Sequence, residues 1–72
     1  MLTVDVYQNL SKTATISIEK PIDCFVIQKR DSFGNRVGAF GKFATLAKAE
    51  KGIAEYVEDC GYRWIGKKEI DG

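Results

Sequence analysis

The sequence predicts an α+β fold, an antiparallel β-sheet of four to five strands with one α-helix packed on one face, in the order β-β-β-β-α-β. Three observations predict it. Short segments in the first half alternate apolar and polar residues with period two, the signature of half-buried strands. Residues 45–61, TLAKAEKGIAEYVEDCG, are the only stretch that sustains a helical period. One amphipathic helix cannot bury its own stripe, so the strands must supply the surface it packs on.

Each element follows from local chemistry. In Leu2–Gln8, Leu2, Val4 and Val6 fall on one side and Thr3, Asp5 and Tyr7 on the other. Asn9, Leu10 and Ser11 supply a turn. Residues 13–20 alternate more cleanly, with Ala14, Ile16 and Ile18 facing in. The pair reads as a hairpin. Pro21 cannot donate to a ladder and marks a corner. Residues 22–30 are apolar on both faces at Cys24, Phe25, Val26 and Ile27, as in a central strand. Their second face then needs cover from a dimer, a partner or a curled sheet. Asp31, Ser32, Phe33, Gly34 and Asn35 make a turn, because Gly34 and Asn35 tolerate positive φ. Arg36–Phe43 returns as a weaker strand, bent at Gly38 and Gly41.

The helix carries Leu46, Ala49, Ile53, Tyr56, Val57 and Cys60 in one stripe roughly 100° wide. Lys48, Lys51, Glu55, Glu58 and Asp59 lie opposite. Thr45 caps its start and Gly61 its end. Gly52 sits inside it at a cost of about 1 kcal/mol relative to Ala; close approach of another backbone would justify it. Residues 62–67 form a last short strand, with Tyr62 and Trp64 on one face. Residues 68–72 read as a polar tail that frays.

The bulk numbers bound the rest. Seventy-two residues read as one domain, 1–72, with a small core. Hydrophobic content of 44% and charged content of 29% indicate a globular protein. A net charge of +1 points to neither a polyanion nor a membrane surface. No run approaches a membrane span, and Met1-Leu2-Thr3 opens no secretion signal, so a cytoplasmic location is expected. Cys24 and Cys60 lie in apolar stretches and read as reduced core thiols.

The search for chemistry is mostly negative. With no histidine there is no histidine base and no serine triad. Two cysteines without histidine make no familiar zinc site. The glycines match no phosphate-loop pattern. No cofactor is expected, and the chain reads as a non-enzymatic binding module. Charge distribution says more. Residues 29–42 hold four bases, Lys29, Arg30, Arg36 and Lys42, against one acid, Asp31. A basic hairpin of this kind can follow a phosphate backbone or enter a major groove, which makes DNA one expected partner. Glu55, Glu58 and Asp59 crowd the helix C-terminal half, where the macrodipole disfavours anions. Arg63 or Lys67 would offset them locally. A protein partner is the alternative, bound through the apolar sheet face at Phe25 and Ile27, the aromatic pair Tyr62 and Trp64, or the acidic helix end. A homodimer through the second sheet face is a further expectation.

Two resemblances extend this reading. Residues 43–53, FATLAKAEKGI, resemble the aromatic-x-[ST]-x-x-x-A-x-x-G-I segment of small YegP-like domains of unknown function. That implies a strand end and a helix start, and more about fold than activity. Separately, the strand from Cys24 to Arg30, the D-x-x-G turn from Asp31 to Gly34, the strand from Arg36 to Phe40 and the G-x-F-x-T of Gly41 to Thr45 precede the helix. That order is similar to the arm-type DNA-binding domain of phage and transposon tyrosine recombinases. The resemblance implies a sheet that enters the major groove, and it would suit a chain from a phage or mobile element. This chain is less basic than that family and carries an extra N-terminal strand.

Overall fold

The computed structural model describes residues 1–71. The strands are β1 (Leu2–Gln8), β2 (Ala14–Glu19), β3 (Phe25–Asp31), β4 (Arg36–Phe43) and β5 (Arg63–Ile70), with helix α1 (Leu46–Cys60) between the last two. They form one antiparallel sheet in the order β4-β3-β2-β1-β5. The expected β-β-β-β-α-β order is therefore the observed one. Its consequence is that α1 carries the chain from one edge of the sheet to the other.

The turns form as their residues dictate. Asn9 Oδ1 accepts from the amides of Thr13 and Ala14 and closes the first hairpin. Asp31 Oδ1 accepts from the amides of Phe33 and Asn35, at 2.9 Å each, and Gly34 takes the positive φ of 87°. Those donors hold the Asp31 carboxyl below its ordinary value, the Asn35 amide most of all. Around Pro21 the chain bends for longer than expected. Ile22 is 85% exposed, and β3 begins only at Phe25.

Helix α1 starts and stops at the expected caps. Thr45 Oγ1 accepts from the Lys48 amide at 3.2 Å. Gly61, at φ 73°, donates to the Val57 carbonyl at 2.9 Å. Ala49 and Ile53 are buried, and Leu46, Tyr56 and Val57 pack half-buried on the core. Cys60 does not join them. It lies in the last helical turn at the edge of the stripe and is exposed, while Cys24 sits half-buried in the bend before β3. Both thiols are free, but neither is a core residue, which corrects the expectation of two core thiols.

The core cluster is Val4, Ile16, Ile18, Phe25, Ile27, Ala49 and Ile53. Ladder register sorts the sheet into two faces, because directly opposed residues point the same way. Ile18 opposes Ile27 on the side of the helix. On the other side Ser17 opposes Gln28, Thr15 opposes Arg30 and Glu19 opposes Val26. Phe25 and Ile27 thus lie under the helix and offer no surface to a partner, contrary to expectation. The open face is mixed rather than apolar, with Val26 buried on it beside polar residues. Ser17 and Gln28 are buried there, and the Gln28 side-chain amide donates to the Gly38 carbonyl at 2.8 Å.

Phe43 explains a glycine. A Cβ on Gly52 would stand 2.6 Å from the Phe43 ring, and one on Gly41 would stand 2.5 Å from it. The ring from the end of β4 slots between these two positions. A side-chain ring, not a backbone, is what approaches Gly52.

Strand β5 is longer than the sequence suggests. Lys68, Glu69 and Ile70 pair with Val4, Thr3 and Leu2, so the expected fraying tail is strand as far as Ile70. Leu2 and Ile70 face each other and both pack on the core, which holds the end down. Tyr62 precedes the strand and stacks on Tyr56 at 5.5 Å between centroids, with Tyr56 in turn 4.7 Å from Phe40. Burial, then the neighbouring Tyr62 and Cys60, push the Tyr56 hydroxyl up to about 12.

Candidate partner-binding groove

Helix α1 lies over β4, β3 and β2 and leaves the β1–β5 side of the same face less covered. A groove of about 220 Å³ opens there. Ile18 and Ile53 give it an apolar lining that Val4 of β1 also borders, Asp5 and Tyr7 come from β1, and Glu50 comes from the helix. Alternation along β1 puts Asp5 and Tyr7 on one side. Glu50 follows Ala49 on the helix, one position off the buried stripe. Two carboxylates therefore flank this apolar lining. Burial, then Asp5 and Glu50, raise the Tyr7 hydroxyl above its ordinary value, so it stays a neutral donor at physiological pH.

Trp64 adjoins this groove through Asp5. Its indole Nε1 donates to Asp5 Oδ1 at 3.0 Å, and Lys67 Nζ stands 3.9 Å from the same oxygen. Trp64 opposes Tyr7 in the ladder and so shares the helix side of the sheet. Because the helix does not extend over it, the ring remains 57% exposed. The neighbouring Ile65 is exposed as well, at an irregularity where the register against β1 shifts. The groove thus offers apolar lining and two carboxylates, with the indole bonded to one of them, Asp5, beside it.

The expected site residues divide among several places. Trp64 lies beside the groove, bonded to its lining residue Asp5. Tyr62 is half-buried in the stack with Tyr56. Glu55, Glu58 and Asp59 are exposed on α1, and among the described residues neither Arg63 nor Lys67 forms an ion pair with them. The basic set is also split. Lys29 opposes Ile16 and is half-buried on the helix side, whereas Arg30 belongs to the open face. Lys42 is exposed on edge strand β4. Asp5, Tyr7 and Glu50 were not candidates from sequence. The strand alternation placed Asp5 and Tyr7 together, but only the sheet order brings β1 beside the helix carboxylate.

A second cluster occupies the open face. Glu19 sits at its centre with its side chain 13% exposed. Arg30 from β3 grips it in a fork, Nε to Oε2 and Nη2 to Oε1, each at 2.9 Å. Lys68 reaches from β5 to Oε2, also at 2.9 Å. Arg36 approaches Oε1 at 4.0 Å. Burial pushes the Glu19 carboxyl up, but the hydrogen bonds and charges of Arg30 and Lys68 outweigh it and hold it below its ordinary value. Glu19 in turn raises the Arg30 guanidinium.

No family model matches the chain, and no curated protein or solved structure is significantly similar to it.

Proposed function

We propose that this chain is a non-enzymatic protein-binding module that takes a basic segment of a partner protein into the groove between α1 and the β1–β5 edge. The observation that carries this reading is Trp64, an exposed aromatic bonded to Asp5, a lining residue of the partly apolar groove. Such a site suits the Lys or Arg of a partner. The aliphatic stem lies on Ile18 and Ile53, the charged head meets Asp5 and Glu50, and the indole face adds a cation–π contact. Tryptophan is also the residue type that most often anchors an interface. Capture from extracts of the source cells tests it. The wild-type chain retains a partner, the Asp5→Asn/Glu50→Gln double variant and Trp64→Ala lose it, and Arg36→Glu/Lys42→Glu, at two exposed positions, keeps it. Equal capture by all four would sink the reading.

DNA binding is the second reading, favoured by Arg36 and Lys42 on exposed strand β4. With Arg30 engaged by Glu19 and Lys29 half-buried, about two phosphate contacts are available. The salt dependence of log K would then have a slope of about −2, at roughly −0.9 per contact. Absence of duplex binding at low salt removes it.

A further inference from the structure

The Glu19 cluster has more positive charge than its carboxylate needs. One carboxylate faces Arg30, Lys68 and Arg36, a surplus of two cations over the open face. Arg30 and Lys68 already fill the strong acceptor sites of Glu19, with three bonds at 2.9 Å. Arg36 contributes little to that pairing. Its contact is 4.0 Å long and its side chain is 64% exposed. Beside these groups lies a cavity of about 440 Å³, to which Lys20 also contributes. Glu69 and Asp71 stand among its lining residues, so the cavity is not uniformly positive.

We propose that this cavity is a binding site for a small dianionic oxyanion of the phosphate-monoester class, held by Arg36 and Lys68. Each end of the site has a stated role. Arg36 presents free guanidinium donors, whose planar fork matches two oxygens of a tetrahedral anion. Lys68 spends one ammonium hydrogen on Glu19 and keeps two for a ligand. Arg30 is a positioning residue. Glu19 and the Gly34 carbonyl, at 2.8 Å from Nη1, lock its side chain, and Arg30 and Arg36 oppose each other in the β3–β4 ladder. The fixed guanidinium beside Arg36 adds charge without moving. Glu69 and Asp71 oppose any anion, but the four cationic side chains of the lining, Lys20, Arg30, Arg36 and Lys68, still exceed its three carboxylates. The site lies on the opposite face from the Trp64 groove and stands independently of the protein-binding reading.

Titration of the folded chain, followed by amide chemical shifts, tests the proposal. The probes are inorganic phosphate and glycerol phosphate, each against sodium chloride at matched ionic strength. Saturable shifts are expected at Glu19, Arg36 and Lys68 for both phosphates and not for chloride. Arg36→Gln, an exposed change that leaves the fold intact, weakens binding about tenfold, the loss of one charge-assisted contact. Lys42→Gln, on the same strand but outside the cavity, leaves affinity unchanged. Saturation with both phosphates supports the monoester class, and saturation with inorganic phosphate alone would overturn that assignment. Linear shifts, shifts matched by chloride, or equal affinity in Arg36→Gln would each overturn the site.

Discussion

Glu19 and Trp64 are the residues at which local chemistry and position diverge most. Glu19 alternates outward in β2, as any solvated strand carboxylate would, yet its side chain is nearly enclosed by cations from β3 and β5. Nothing in residues 14–19 announces those partners, because they come from strands 11 and 49 positions away. The pairing sets a pH dependence. Glu19 has a folded value lowered from its ordinary 4.5, so the unfolded chain takes up the proton first on acidification. Its contribution is complete above the ordinary value and is lost as pH falls through the lowered one. Asp31 acts in the same direction. Denaturant unfolding of Glu19→Gln should show a stability loss of about 1–3 kcal/mol near neutral pH, because the Arg30 and Lys68 donors lose a charged acceptor. The difference from wild type should shrink below pH 4.5. A constant difference at all pH values would contradict the assignment. Trp64→Ala, by contrast, should unfold with a midpoint close to wild type, since an exposed ring gives up little burial.

At the scale of the element, the helix was the most legible feature. Its Thr45 cap, its Gly61 stop and its stripe from Leu46 to Val57 are as the 3.6-residue period and cap chemistry demand, and only Cys60 falls outside. Ile53→Asp should abolish cooperative unfolding, because Ile53 is 3% exposed at the centre of the stripe. Lys51→Asp on the far side should melt near wild type; equal losses in circular dichroism would mean the register is wrong. Gly52 was legible only as an oddity. Its reason is the Phe43 ring, which arrives from another element. Gly52→Ala should therefore destabilise by about 1–3 kcal/mol through overpacking, although Ala is favoured in a helix by about 1 kcal/mol. Phe43→Leu/Gly52→Ala should recover part of that loss, and a stabilised single variant would refute the account. The end of β5 was illegible for the opposite reason. Lys68 and Glu69 look like tail, and only the ladder to Leu2 and Ile70's place on the core make them strand.

For the whole molecule, the sheet order decides the surface. Local periodicity predicts five strands and one helix, but it does not place β5 beside β1. That placement carries the helix across the sheet over Phe25 and Ile27 and leaves Trp64 beside Asp5 outside the helix, while alternation along β3 splits Lys29 and Arg30 between two faces. The central claim is that a partner protein docks on this edge. Trp64 is the single tryptophan of the chain, so its fluorescence reports that site alone. The deciding measurement is iodide quenching of the indole, recorded before and after saturation with a docking peptide of the captured partner that contains no tryptophan. The account predicts a blue-shifted emission and a clear fall in quenching, as the exposed ring becomes covered. Saturating binding with unchanged emission and unchanged quenching would contradict it.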